Sequence, residues 1–314
     1  MLTLSVVVPA TDRPPTLPAC LAAIERAAGD GEVVVVDGPP GLSASAARNA
    51  GARRATGDVL VFVDADVVIH PDALTRIRAA FATCPELTAV FGSYDDAPPT
   101  GGTVAAFRNL LHHHVHQGAG GPAETFWSGL GALRRDAFFA AGGFDADRFP
   151  HPSVEDIDLG VRLAATGAHI LLDPTIQGTH LKAWTLRSMV CTDFARRSVP
   201  WVALQLRSGR VSTALNLGWR HRISAAACTV ATLAVLARRP RVAAASLLVL
   251  LGLNRDFYAL LARRRGLGEA AVGVGLHAVH HLTAVAAVPA GVLAHVRDIS
   301  GNGRTAPAGP EEPR

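Results

Sequence analysis

The sequence predicts an α/β fold, a mostly parallel sheet flanked by helices, followed by a C-terminal α-helical, membrane-associated region. Three observations carry this. Short β-branched runs alternate with helical patterns over the first 200 residues; carboxylates stand directly after two of those runs; and the last third concentrates the apolar residues. Leu4 to Val8 is a buried strand closed by Pro9. Thr16 is placed to cap a helix in which Leu17, Leu21, Ile24 and Ala28 recur at helical spacing. Val33 to Val36 ends at Asp37, Ser43 to Arg54 is an Ala-rich helix, and Val59 to Val63 ends at Asp64. Leu74, Ile77 and Phe81 form the stripe of the next helix. Continuous apolar strands between helices imply a sheet covered on both faces, with ligands at the carboxyl ends of its strands.

Phe91 to Pro122 dissolves into Gly, Pro and His and reads as a long loop with one helix near Ala105 to Val115. Ser153 to Ala165 reads as a helix, Ile170 to Leu172 as a strand, and Ala306 to Arg314 as a disordered tail. The expected division is 1–205 for the catalytic α/β unit, 206–297 for membrane-associated helices and 298–314 for the tail.

Hydrophobic residues make up 49% of the chain and mean hydropathy is +0.25. Three apolar stretches account for the excess: Ile223 to Ala237, Val242 to Leu253 and Ala270 to Ala294. As a helix the third would span about 37 Å, enough for a hydrocarbon core of about 30 Å, and the first two would reach only about 22 and 18 Å. Buried helices of a soluble domain are the alternative. Asn254 to Arg265 gathers Phe257, Tyr258 and Leu261 beside Arg, an interfacial profile. Between Arg207 and Arg265 there are eleven Arg against one acid, Asp256. Such a run beside apolar segments suits anionic lipid headgroups, whereas the aromatics that a nucleic-acid platform needs are sparse. No basic leader or cleavage pattern precedes the first strand, and the four cysteines, with no C-x-x-C pair and no His/Cys metal spacing, read as free thiols of a reducing compartment. The expected location is the cytoplasmic membrane, with the catalytic unit facing the cytosol.

The chemistry-bearing segments are acidic. Asp64-Ala65-Asp66 closes a strand, and two such carboxylates can share an oxygen-seeking cation with substrate phosphates; they could also simply end the strand. Glu155-Asp156, followed by Asp158, offers a general base. Ser153 and Asp156 fit a capping box equally well, and acids suit a first helical turn. His112-His113-His114-Val115-His116 has no nearby partner that completes a metal shell, and His277, His280 and His281 stay open between lipid phosphate and interhelical bonding. No G-x-G-x-x-G follows the first strand and no G-x-S-x-G is present.

Read in order, Val6-Val7-Val8-Pro9, Val35-Val36-Asp37-Gly38, Arg48-Asn49-Ala50-Gly51, Gly57-Asp58, Val61 to Asp66, Gly129, Arg134-Arg135, Gly142-Gly143-Phe144-Asp145, Glu155-Asp156 and His180 resemble family 2 glycosyltransferases of the GT-A fold. His180 to Leu186 and the Asn254, Phe257, Tyr258 pattern resemble the subset with a membrane-associated C-terminal tail. The resemblance implies an inverting, metal-dependent transfer from a nucleotide-sugar, a UDP-sugar ahead of a GDP-sugar, to an acceptor hydroxyl, and the apolar tail points to a lipid or lipid-linked acceptor. The resemblance also implies Pro9, Asp12, Asp37, Arg48 and Asp64 at the nucleotide-sugar, Asp66 and His180 on Mg²⁺ or Mn²⁺, and Asp156 with Glu155 as the catalytic pair. Lys182, the sole Lys beside 29 Arg, is a candidate for the diphosphate. Trp127 and Gly129 are acceptor-side candidates, and Trp184, like Trp201, fits packing and acceptor contact equally. The family's aromatic-Asn pair is Thr11-Asp12 here, and its Asp-Asp-Gly-Ser is Asp37-Gly38-Pro39-Pro40. A polyprenyl-phosphate sugar synthase and a non-catalytic membrane scaffold are the alternatives.

Overall fold

The computed structural model describes residues 2–28, 31–99, 101–209 and 215–302; the expected tail from 303 onward lies outside them. The elements run β1 (Leu4–Pro9), α1 (Leu17–Ala28), β2 (Glu32–Val36), α2 (Ala44–Arg54), β3 (Val59–Val63), β4 (Val67–Ile69), α3 (Ala73–Thr83), β5 (Leu87–Tyr94) and α4 (Thr103–Gln117). They continue with β6 (Gly121–Ala123), β7 (Leu130–Arg134), α5 (Arg135–Ala140), α6 (Glu155–Ala165), β8 (His169–His180), α7 (Leu186–Cys191), a π-helical turn (Thr192–Ser198) and α8 (Val199–Ser208). After a short 3₁₀ turn come α9 (Trp219–Leu236), α10 (Pro240–Leu253) and α11 (Arg255–Asn302).

The strands form one sheet in the order β2-β1-β3-β7-β5-β8-β4, with β6 on β8. The β2-β1-β3 half is parallel, as the sequence predicts. The other half is mixed, because β7 runs antiparallel to both β3 and β5 while β5 and β8 are parallel. Alternation along the strands fills both faces. Val6, Val8, Val61 and Val63 meet α1 and α3 through Ile24, Leu74 and Phe81, whereas Val7, Leu60 and Phe62 meet α2, α5 and α6 through Ala47, Phe138 and Leu159.

Several local expectations change. The stretch after Phe91 does not start as a loop: β5 continues to Tyr94, buried between β7 and β8, and Gly92 serves there because a Cβ would lie 2.1 Å from the Ile176 carbonyl. The strand foreseen at Ile170–Leu172 runs on to His180. Thr16 does not cap α1; its hydroxyl donates to the Ala65 carbonyl across the rim. The Ser153 capping box is absent as well. Helix α6 starts at Glu155 without a side-chain cap, Ser153 N donates to Glu155 Oε2 (2.6 Å), and its hydroxyl donates to the Arg196 carbonyl (2.8 Å).

A third core joins the C-terminal helices to the α/β unit. Phe107, Leu110 and Leu111 of α4 pack against Phe257, Leu261 and Leu276 of α11. This overturns the interfacial profile expected for 254–265: Phe257 and Leu261 are buried against protein, and Asn254 is buried with its amide on Ser224 Oγ and the Leu250 carbonyl. Within α11, which bends at Gly266, Arg255–Ile299 is long and apolar enough to cross a membrane, with about a third of its most apolar window covered by protein. The α9–α10 hairpin exposes Leu233, Leu236 and Leu248 and turns at Arg238-Arg239.

Candidate active site

Because β2, β1 and β3 are parallel, their carboxyl ends open on one rim, which collects Pro9, Asp12, Asp37 and Asp64. Pro9 is half-buried and Asp12 exposed. Asp37 pairs with Arg13 at 3.1 Å in solvent.

Beyond Asp64 the chain enters β4, and the antiparallel register Val67↔His180 decides the next feature. It sets Asp66 opposite the end of β8, where Leu181 N donates to the Asp66 carbonyl (2.8 Å) and Asp66 Oδ2 stands 3.5 Å from His180 Nε2. His180 Nδ1 lies 2.6 Å from Asn109 Oδ1 on α4, and the Asn109 amide NH₂ donates to the His180 carbonyl (3.3 Å). A carbonyl can only accept, so this second bond fixes the amide orientation and makes Nδ1 the donor. His180 Nε2 is then left for Asp66. The Tyr94 ring stacks on the imidazole, centroids 4.2 Å apart and planes 5° from parallel. Burial pushes the Asp66 carboxyl up, but the bond and charge of His180, with Lys182 behind, outweigh it and hold the group below the usual carboxylate range.

The second acidic segment meets the first through Arg48. This buried guanidinium binds Asp64 Oδ1 at 2.6 Å and Glu155 Oε1 at 3.0 Å. Burial, Asp66 and Glu155 push Asp64 up against the pull of Arg48. The Ser128-Gly129 segment makes a second tie: Asp64 N donates to the Gly129 carbonyl (3.1 Å), and Ser128 N donates to Asp156 Oδ2 (3.1 Å). Ile157 N donates to Asp156 Oδ1 (2.8 Å). Burial first, and the neighbouring Glu155 second, push Asp156 up to about 7. A carboxyl poised near neutrality suits a general base.

Other expected residues take more structural positions. Trp184 is buried between the Arg108 and Lys182 cations, 5.4 and 4.7 Å from its ring, in the core shared by α4 and α11. Lys182 itself is exposed. Trp127 packs against Tyr94, and at Gly129 a Cβ would lie 2.4 Å from that indole, so the glycine keeps the ring in place. The His112–His116 cluster docks α4 onto β5, with His113 Nδ1 on the Tyr94 carbonyl (2.8 Å) and His116 Nδ1 on that of Gly92 (2.9 Å). Sequence reasoning missed Asn109 and Tyr94, since no spacing rule relates positions 94 and 109 to 180.

Asp66 and His180 fit a divalent cation. One carboxylate oxygen and one imidazole nitrogen converge, and the far imidazole nitrogen is already committed, as ligating histidines require. Among the described residues no group of three or more His, Cys, Asp or Glu side chains could hold a metal ion. Two protein donors completed by substrate phosphates match how Mg²⁺ and its relatives are bound.

Residues 39–139, which include Arg48, Asp64 and Asp66, match the family model described as Glycosyl transferase family 2. The chain is a glycosyltransferase whose residues 39–139 match that family. The mannosyltransferase PcManGT from Pyrobaculum calidifontis, solved in complex with GDP-Man and Mn²⁺, is 17% identical to this glycosyltransferase. It aligns over 95% of this chain and 88% of its own, with a TM-score of 0.52, a likeness of fold. S. aureus TarS 1–349 is 14% identical over 89% of this chain and 90% of its own, with a TM-score of 0.44. Glucosyl-3-phosphoglycerate synthase from Mycobacterium tuberculosis, in complex with Mn²⁺, UDP-Glc and phosphoglyceric acid, is 19% identical over 68% and 81%, with a TM-score of 0.43. No curated protein matches the chain.

Proposed function

We propose that this glycosyltransferase is an inverting, metal-dependent enzyme that moves a sugar from a UDP-sugar to a hydroxyl of a lipid or lipid-linked acceptor at the cytoplasmic membrane, its catalytic unit facing the cytosol. The observation that carries the reading is the meeting of the two acidic segments at Arg48, with Asp66 facing His180 on one side and Asp156 following Glu155 on the other.

The donor's nucleoside lies along Pro9, Asp12 and Asp37, and its diphosphate lies toward Asp66, with Lys182 in reach. A divalent cation held by Asp66 and His180 would neutralise the charge that develops on the departing diphosphate. Asp156, turned by Ser128 N and Ile157 N, takes the proton of the acceptor hydroxyl. As that oxygen bonds to the anomeric carbon, the bond from the carbon to the diphosphate oxygen breaks on the opposite face, which inverts the centre. Arg48 engages Glu155 at 3.0 Å and does not touch Asp156, which is left as the carboxylate that exchanges the proton. The exposed leucines and arginines of the α9–α10 hairpin favour attachment to an anionic membrane.

Equilibrium binding of a panel of UDP- and GDP-sugars to the detergent-purified protein, with and without Mn²⁺, tests the assignment. Metal-dependent binding of a UDP-sugar that Asp66→Ala removes is expected, together with slow donor hydrolysis by the wild type. A wild type that binds no nucleotide would instead support a membrane scaffold.

A further inference from the structure

A cavity of about 300 Å³ lies where the loop before α6, helix α8 and the end of α11 meet. Its charge is one-sided. Arg148, Arg196 and Arg207 line it against one carboxylate, Asp298, which is already paired with Arg207. Arg148 lies over the Phe149 ring, 5.8 Å from its centroid, and among the described residues its one carboxylate partner is Asp158 at 3.7 Å, which Arg162 holds more closely at 2.8 Å. Among the described residues the Arg196 guanidinium has no hydrogen bond or ion pair. Two guanidiniums therefore face the cavity with charge to spare.

The floor is of the opposite character. Phe149 and Leu204 are buried there, in one apolar cluster with Val154 and Ile157. The walls are built by close packing: a Cβ on Gly291 of α11 would lie 2.6 Å from Val202 of α8, so this glycine lets the two helices approach. Next to the lining residues in sequence, the same helices present exposed Leu206, Leu293 and Val296. An anion-seeking rim, an apolar floor and apolar neighbours outside describe the surroundings of a phosphate carried on an alkyl chain, more than those of a free phosphate. The cavity also touches the catalytic loop. Ser153 lines it and donates its N–H to Glu155, next to Asp156.

We propose that this cavity is the subsite for a phosphate-bearing lipid, with Arg148 and Arg196 on the phosphate and Phe149 and Leu204 under the first part of the chain. Charge-assisted bonds from two guanidiniums fix the phosphate and its orientation. The apolar floor selects a lipid over a soluble phosphate. The inference deepens the acceptor reading given above and rests on it for the placement of the lipid beside Asp156.

The test measures binding of dodecyl phosphate, dodecanol and inorganic phosphate to the full-length protein in neutral detergent, by native mass spectrometry and titration. Dodecyl phosphate is expected to bind at least 10-fold more tightly than either comparison compound. Arg148→Ala/Arg196→Ala is expected to weaken it 10-fold or more, with the melting temperature and Mn²⁺-dependent nucleotide binding unchanged. Arg196→Glu alone provides a second, milder variant with the same expected direction. Undiminished binding in these variants, or equal binding of dodecanol or of inorganic phosphate, would overturn the subsite. Nucleotide-sugar binding is a separate readout, so a protein that binds dodecyl phosphate but no donor fails the transferase reading and not this one.

Discussion

Asn109 Oδ1 lies 2.6 Å from His180 Nδ1, and the same amide returns a bond to the His180 main chain, so α4 dictates which face the imidazole turns to Asp66. If His180 ligates the metal, Asn109 sets its orientation without touching the ion. Asn109→Leu should weaken Mn²⁺ about 10- to 100-fold, the usual cost of losing such a partner. Asn109→Asp keeps an acceptor at Nδ1 and should restore most of the affinity. A Mn²⁺ titration followed by electron paramagnetic resonance reads both, and equal weakening in the two variants would reduce Asn109 to a packing role.

Arg48 is the keystone between the acidic segments. It is buried, and each of its terminal nitrogens bonds a different carboxylate. Arg48→Met should destabilise the fold by about 3–5 kcal/mol, because it strands Asp64 and Glu155 without a counter-charge. Arg48→Lys should fall between, since a single ammonium cannot span two carboxylates in a fixed fork. Urea unfolding followed by circular dichroism measures both.

How much of this was legible in the sequence follows from the range of the interactions. Asp37 and Asp64 stand directly after apolar runs, so strand-end placement was local information, and the β2-β1-β3 half came out as expected. The facing of Asp66 and His180 depends on the antiparallel β4–β8 register, and β4 is only three residues long, too short for periodicity to announce. The family resemblance supplied that pair. Ser153 shows the opposite failure: its spacing to Asp156 fits a capping box, yet Glu155 and Arg196 compete successfully for its two donors. Phe257 and Leu261 looked interfacial because an amphipathic stripe has the same pattern whether it meets lipid or another helix.

Asp156 gives a pH dependence with a definite sign. Its carboxyl is pushed up to about 7 by burial and by Glu155, so below neutrality it is protonated and cannot accept the hydroxyl proton. kcat/KM for a hydroxyl acceptor should therefore rise as pH increases through about 7. Stability runs the other way. A carboxyl whose folded value is raised contributes stability that is fully present below its unfolded value and is lost as pH rises through the folded one. From pH 6 to 8 the wild type should lose melting temperature relative to Asp156→Asn. The same variant should lose about 100-fold or more in turnover on a hydroxyl; a mild loss would point to an acceptor that is already a phosphate.

Gly160 tests how tightly α6 must sit. A Cβ there would lie 2.2 Å from Phe126 N and 2.4 Å from the Thr125 carbonyl carbon, both backbone. Backbone cannot swing aside as a side chain can, so Gly160→Ala must move α6 away from the 125–128 segment. The shift would lengthen the Ser128–Asp156 contact and should cost about 1–3 kcal/mol of stability, as overpacking does. A drop in kcat beyond the fraction unfolded, measured below the melting transition, would separate misplacement of Asp156 from simple loss of fold.

The α9–α10 hairpin should hold the enzyme on a membrane by two separable forces. Leu233, Leu236 and Leu248 offer exposed apolar area, and Arg238, Arg239 and Arg241 cluster at its turn. Leu236→Asp/Leu248→Asp should lower association with vesicles of any headgroup at least 10-fold, because it removes apolar area and adds charge that must be desolvated. Replacing the three arginines with Ser should spare neutral vesicles and weaken phosphatidylglycerol vesicles. At about 1 kcal/mol per basic residue near an anionic surface, three would amount to roughly 100-fold. Raising salt should mimic the arginine variant and not the leucine one, since screening acts on charge alone. Sedimentation with both vesicle types at low and high salt distinguishes the two forces, and a hairpin variant that binds like wild type under all four conditions would assign the attachment to α11 instead.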